Sequence, residues 1–331
     1  MTLKKHNTRQ RLLHLLSDGK FHSGEDLGNQ LGMTRSAIWK AVKQLENLDI
    51  EINSISGKGY RIPNGMSLLD KTKIESFVMQ KNTSLINEIF VLEEIDSTNQ
   101  FLFSKIDTEI LKPMACFSER QTQGRGRRGR AWLSPFASNI YHSLLWYFEK
   151  DPSELMGLSL AVAVMTTRAL KQYGIEMGLE LKWPNDIFWE SQKLAGILIE
   201  MVSQPQDICA VVIGIGINTR LSQQHIVELD RPVTSIEKIT QHPADRNQLA
   251  GLLLNSLIEG FQQFQKNGLS AFLDEWRALD KFRGKMVTLS CAAQSVTGIM
   301  EDVSDNGALL LRNTDGKIKP YLSGEMSLSG A

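Results

Sequence analysis

One strand narrows the choice of fold more than any other stretch of the chain. Val211-Val212-Ile213-Gly214-Ile215-Gly216-Ile217-Asn218 is apolar almost without interruption, which marks a strand buried on both faces. Glycines inside such a strand cost stability and usually mark a bulge or a ligand reaching the backbone. Asn218 at its end can read a nucleobase or hold a phosphate. Strands and helices alternate around it from Leu68 to about Phe272, the pattern of an α/β or α+β catalytic domain. At 331 residues and 42% hydrophobic, the chain is long enough for two or three domains.

Composition removes several classes. No run of about twenty apolar residues offers a membrane span, and the opening residues lead into a polar amphipathic stretch rather than an apolar signal core. Cys116, Cys209 and Cys291 are scattered, with neither a disulfide framework nor zinc spacing, so a reducing cytoplasm is the expected home. The chain is neutral only in sum. Residues 1–62 hold six lysines and four arginines against three Asp and three Glu, a balance of +4, so the remainder carries −4. Only the first piece should meet a polyanion.

That piece, residues 1–63, reads as a winged helix-turn-helix. Leu12, Leu13, Leu15 and Leu16 recur at helical spacing after Thr8, and Gly19 closes the segment. Ser23 can cap a second helix with Leu27 and Leu31 inward. Gly32-Met33 turns the chain, and Thr34 caps a third helix in which Ile38, Val42 and Leu45 share a face. Arg35, Ser36, Lys40 and Lys43 are left outside as candidate DNA contacts. Glu51–Ile55 and Gly59–Ile62 then read as strands of a wing tipped by Lys58. A three-helix protein-interaction module is the competing reading. Pro63-Asn64-Gly65 looks like a linker.

Gly124-Arg125-Gly126-Arg127-Arg128-Gly129-Arg130 holds four arginines and three glycines. Glycine lets the backbone approach a ligand and present its N–H groups; arginine adds forked donors for phosphate or carboxylate. The segment reads as a mobile loop that orders over a small anion. A floppy surface loop is the competing reading; a nucleic-acid tail is seldom followed at once by an apolar run such as Ala131 to Phe148, and a dinucleotide fingerprint needs a helix where Pro135 stands. Three further polar clusters end apolar runs. Asp96-Ser97-Thr98-Asn99 can cap a helix or line a pocket for a ureido or amide group. Gln121 stands beside the arginine loop. In Lys182-Trp183-Pro184-Asn185-Asp186, Lys182 can hold a carboxylate against an α-phosphate and Asp186 has the chemistry for Mg²⁺; a proline-bearing hairpin with a solvated lysine is the alternative. Lys193 follows at the mouth of another buried strand.

From near Phe282 the helical spacing of Leu252, Leu253, Leu257, Phe261 and Phe264 gives way to period-two alternation. Met286–Leu289, Val296–Met300 and Ala308–Leu311 read as strands of a small antiparallel barrel, which could equally be a plain stabilising cap.

These residues resemble the biotin protein ligases, specifically the bifunctional bacterial type that is also the biotin operon repressor. The likeness runs along the whole chain, through GRGRRG, KWPND, KLAGIL and GIGIN. It implies an α+β multi-domain protein: a winged helix-turn-helix (1–63), a central mixed α/β ligase domain of class II synthetase type (67–275), and an SH3-like β-barrel (282–331). It implies that biotin and MgATP give biotinyl-5′-adenylate and that a lysine of biotin carboxyl carrier protein then takes the biotin, with no permanently bound cofactor. It implies biotin contacts from Ser97, Thr98, Asn99, Gln121, Arg125, Gly126, Arg127 and Lys193, and ATP contacts from Trp132, Lys182, Asn185, Asp186 and Asn218, with Lys182, Arg125 and Arg127 as the catalytic set and Asp186 as the Mg²⁺ ligand. It also implies that the adenylate-loaded form dimerises and binds operator DNA, and that no membrane is involved. Two other readings use the same residues: a regulator whose ligase-like domain only senses a ligand, and a ligase for lipoate or another cofactor acid.

Overall fold

Leu12, Leu13 and Leu16 line one side of α1 (Thr2–Leu16) and are almost wholly buried. The computed structural model describes residues 2–328 other than 47, 49, 64, 108–110, 205–207, 230 and 292–293. Ser23 caps α2 (Gly24–Leu31), its Oγ accepting the Asp26 N–H at 3.0 Å. Thr34 Oγ1 accepts from Ala37 N–H at 3.3 Å at the start of α3 (Arg35–Glu46). Ile38, Val42 and Leu45 of α3 are buried as their spacing requires. The wing is an antiparallel pair, β1 (Asn53–Ile55) and β2 (Gly59–Arg61). It is shorter at both outer ends than its sequence suggested. Asn64, the middle of the expected linker, lies outside the described residues, as do residues 329–331.

The central domain begins with α4 (Lys71–Phe77) and α5 (Gln80–Thr83), then β3 (Glu88–Leu92), α6 (Thr98–Phe103), β4 (Met114–Ser118) and β5 (Ile140–Phe148). There follow α7 (Leu158–Gln172), β6 (Leu179–Lys182), β7 (Asp186–Trp189), β8 (Gln192–Gln204) and β9 (Ile208–Ile217). The helices α8 (Gln223–Leu229), α9 (Ile236–Thr240), α10 (Arg246–Asn267) and α11 (Ser270–Ala278) complete it. The seven strands form one sheet in the order β3-β4-β5-β9-β8-β7-β6, parallel only between β3 and β4. The apolar run Val211–Ile217 is therefore a central strand, flanked by β5 and β8. Val211 and Ile213 face the large core that contains α7 and α10; Val212 faces Leu102 of α6 and Leu145 on the other side. Burial on both faces is why its sequence does not alternate.

Beyond α11 come β10 (Met286–Cys291), β11 (Gln294–Val303), β12 (Leu309–Arg312), β13 (Ile318–Tyr321) and β14 (Glu325–Leu328). They form an antiparallel sheet in the order β13-β12-β11-β10-β14, so the ladder ends at β13 and β14. Val287, Leu289, Leu309, Leu311 and Met326 continue the core of the central domain. Trp183 Nε1 donates to the Gly307 carbonyl at 3.0 Å across that boundary.

The N-terminal helices are equally well joined to the centre. Phe136 and Ala137, which follow the arginine loop, are buried in the same cluster as Leu12, Leu16, Leu27 and Ile38. Arg9 of α1 forms an ion pair with Glu93, just beyond β3. Among the described residues no helix is long and apolar enough to cross a membrane.

Candidate active site

The three polar clusters and the arginine loop converge on one cleft of about 950 Å³, open mouth included. Its floor is the β5-β9-β8 part of the sheet. Ser97 is both a cap and a lining residue: its Oγ accepts from Gln100 N–H at 3.5 Å to start α6, and Ser97, Thr98 and Asn99 all border the cleft although each is at most 4% exposed. The Thr98 N–H and hydroxyl donate to Gln121 Oε1 at 2.8 and 3.0 Å, and Gln121 Nε2 donates to Ser134 Oγ at 3.3 Å. Asn99 Nδ2 donates to Glu200 Oε2 at 2.8 Å, and Ser143 Oγ lies 2.6 Å from Asn99 Oδ1 and 2.7 Å from Thr98 Oγ1. Ser143 and Glu200 escape the sequence reading because each sits inside a run that looks like ordinary sheet.

Of the two causes the sequence offered for the glycines of β9, a bulge or a ligand at the backbone, the bulge is excluded, and both glycines line the cleft. The strand is not bulged; its register with β5 and β8 runs without a break. A side chain at Gly214 would collide with the Asn99 amide, and one at Gly216 with the Trp132 indole. What approaches this backbone is the protein's own polar head and aromatic wall. Trp132 Nε1 is buried in the cleft with no hydrogen-bond partner among the described residues.

The arginine loop lies against the cleft with each guanidinium engaged. Arg125 Nη2 donates to Gln100 Oε1 at 2.6 Å, and Arg127 Nη1 to Asn185 Oδ1 at 3.3 Å. Arg128 Nη2 donates to the Ser290 carbonyl at 3.0 Å, and Arg130 forks onto the Glu325 carboxylate at 2.5 Å through both oxygens. The last two contacts bring the C-terminal sheet to the cleft, so Glu325 is a border residue the sequence did not signal. Burial, seconded by Arg128, holds the Arg127 guanidinium below the ordinary arginine range, against the pull of Asp186 and Glu325.

Lys182 ends β6, and Asp186 opens β7 opposite it in register. The Trp183–Pro184 bond between them is cis. Among the described residues the Lys182 ammonium has no hydrogen bond or ion pair; it stands 5.6 Å from the centre of the Phe188 ring. Burial lowers its pKa, opposed by Asp186 and reinforced by Lys193. Lys193 is committed elsewhere, its Nζ 2.6 Å from Asp186 Oδ1 and over the Trp132 ring. Asn218 is buried and does not line the cleft; its Nδ2 donates to the Lys193 carbonyl at 3.4 Å. Two further lining residues carry no sequence signal: Arg231, whose Nε is buried without a partner among the described residues, and His142, stacked on Phe117 and pushed down to about 3 by burial, hence neutral.

On the N-terminal domain Arg35, Ser36, Lys40 and Lys43 are exposed along α3, as is Lys58 at the wing tip, which reaches toward the Phe21 ring at 6.0 Å. They form a surface separate from the cleft.

A cleft of this make, with a buried polar head, a lysine and a forked-donor loop, is that of a ligase for a carboxylic acid and a nucleotide. Residues 91–218 match the biotin/lipoate A/B protein ligase family, 8–61 an HTH domain, and 283–329 the biotin protein ligase C-terminal domain. The bifunctional ligase/repressor BirA of Salmonella typhimurium is 39% identical over 97% of both chains. That of Escherichia coli is 37% identical over 99% of both. The biotin protein ligase of Aquifex aeolicus, solved with biotin and ATP, superposes with a TM-score of 0.60 at 28% identity, over 73% of this chain and 98% of that one. The chain belongs to the family of bifunctional biotin ligase–repressors.

Proposed function

We propose that the cleft joins biotin to ATP and passes it to a lysine of biotin carboxyl carrier protein in the cytoplasm, and that the N-terminal domain represses the biotin operon with the adenylate as corepressor. In the first step a biotin carboxylate oxygen attacks the α-phosphorus, and the bond to pyrophosphate breaks. In the second the carrier's neutral lysine amine attacks the acyl carbon. The bond to AMP breaks, and the amine gives up a proton. The observation that carries this reading is the Lys182 ammonium, partly buried and unpaired among the described residues, in the same cleft as the arginine loop. A desolvated cation aimed at developing negative charge is worth far more than one in water.

The proposed roles fit the geometry of the cleft. Ser97, Thr98, Asn99 and Gln121 form a buried hydrogen-bonding end for the biotin head group, with Lys193 near its rim. Arg125, Gly126 and Arg127 close over carboxylate and phosphate. Trp132, Asn185 and Asp186 take the ATP end, with Asn218 supporting Lys193 from behind. Mg²⁺ usually needs only one or two protein carboxylates beside phosphate oxygens and water. Asp186 meets that requirement, although one of its oxygens is shared with Lys193, and no three His, Cys, Asp or Glu side chains gather for a metal among the described residues. The ion would neutralise phosphate charge and arrive with the nucleotide. In the adenylate-loaded state two chains pair, presenting two helix-turn-helix units to half-sites about one helical turn apart.

Intact mass of a carrier domain incubated with the protein, biotin and MgATP tests the ligase: one biotinyl adduct supports it, and none, with biotin still bound, favours a sensor. Lipoate competing equally with biotin during adenylation would favour the other ligase reading. Shelter of the mixed anhydride gives a second test. A loop that covers it excludes water and holds it for the carrier. Arg127→Gly should release adenylate and label the lysines of a bystander such as serum albumin, read by streptavidin blot. Unchanged target selectivity, with the adenylate retained, would remove Arg127 from that role.

A further inference from the structure

Trp39 is 51% exposed on α3, whose other large apolar residues, Ile38, Val42 and Leu45, are buried. A helix advances about 100° per residue, so Trp39 projects about 40° from Arg35 on one side and about 40° from Lys43 on the other. Ser36 and Lys40 lie farther round on the Lys43 side, about 60° and about 100° from Trp39, while the buried Val42, Ile38 and Leu45 lie about 60°, 100° and 120° away on the Arg35 side. The indole thus stands between Arg35 and Lys43, on the flank of the basic face nearer the core, and is still half exposed.

We propose that Trp39 is a base-reading residue that contacts the 5-methyl group of a thymine in the major groove. The proposal rests on the DNA-binding reading given above. Arg35, Lys40 and Lys43 commit this face to a polyanion, since three cations around one ring suit phosphates and repel a basic partner. The indole N–H can donate to a phosphate oxygen, but such a contact leaves the apolar surface of the ring uncovered. Among groups that a helix meets at base edges in the major groove, the thymine methyl is the apolar one, and apolar side chains are its matching partners. The flanking cations would fix register on the backbone while the ring reads one position.

The test uses duplexes that the wild-type protein, given biotin and MgATP, enriches from a random-sequence pool, each then made with thymine and with deoxyuridine. The wild type should bind the thymine form about 3–10-fold more tightly, as expected for one apolar base contact. Trp39→Ala should erase that ratio, and Trp39→Phe, which keeps an apolar ring, should restore part of it. Lys40→Ala should weaken both forms alike and flatten the salt dependence. An undiminished thymine-to-uracil ratio in Trp39→Ala overturns the proposal. So does a change in self-association without a change in that ratio, which would assign the indole to a protein contact. If the wild type enriches no sequence at all, the DNA-binding reading itself fails, and the proposal with it.

Discussion

Lys182→Ala is expected to keep binding biotin while pyrophosphate release in the first half-reaction falls about 10²–10³-fold, the size of loss seen when one preorganised donor to a developing oxyanion is removed. The buried head of the site, Ser97 to Asn99 with Gln121 and Ser143, is built without Lys182, which is why affinity for biotin should survive. The role requires the cation. Because burial lowers the Lys182 pKa, the charge is lost below the usual lysine value of about 10.4. Adenylation should therefore fade on the alkaline side earlier than an exposed lysine would allow, and that limb should be missing from the residual rate of Lys182→Ala. Normal pyrophosphate release by the variant would exclude the assignment.

The second large effect is on stability. Arg246 and Glu119 form an ion pair at 2.6 Å with side chains 3% and 5% exposed. Arg246 also donates to the carbonyls of Asn139, at 2.6 Å, and Ser67, at 2.8 Å, and Glu119 Oε1 accepts the Leu69 N–H at 2.5 Å. The pair thus fastens the chain entering the central domain to the start of α10 and to the adjoining ends of β4 and β5. Arg246→Ala leaves a carboxylate and two carbonyls buried without their partner, a loss of roughly 3–5 kcal/mol. Urea unfolding followed by tryptophan fluorescence measures it. A loss under about 1 kcal/mol, the range of solvated pairs, would show that water or a rearranged neighbour replaces the guanidinium.

The sequence was most legible where local chemistry and local geometry coincide. The capping residues Ser23 and Thr34, the inward face of α3 and the both-sides-buried β9 all follow from short-range spacing. The clusters at 97–99, 121, 124–130 and 182–186 were visible because polar residues at strand ends have little else to do. Arg246 was invisible for the complementary reason. It opens a helix, where a charged residue ordinarily faces water, and its burial depends on Glu119 and Asn139 arriving from remote strands. Ser143, Glu200, Arg231 and Glu325 were missed in the same way. The bulge reading of Gly214 and Gly216 failed because the bodies that fill their missing side-chain volume, Asn99 and Trp132, come from elsewhere in the chain.

Phe136 and Ala137 give this architecture an unequal economy. Both belong to the central segment that carries Trp132, yet both help to fill the interior of the DNA-binding module. A fragment cut after residue 63 would keep its three helices and wing but open a hole where an aromatic ring had been. The module is therefore not a detachable cassette. Grafting it onto another effector domain would first require a substitute for that ring.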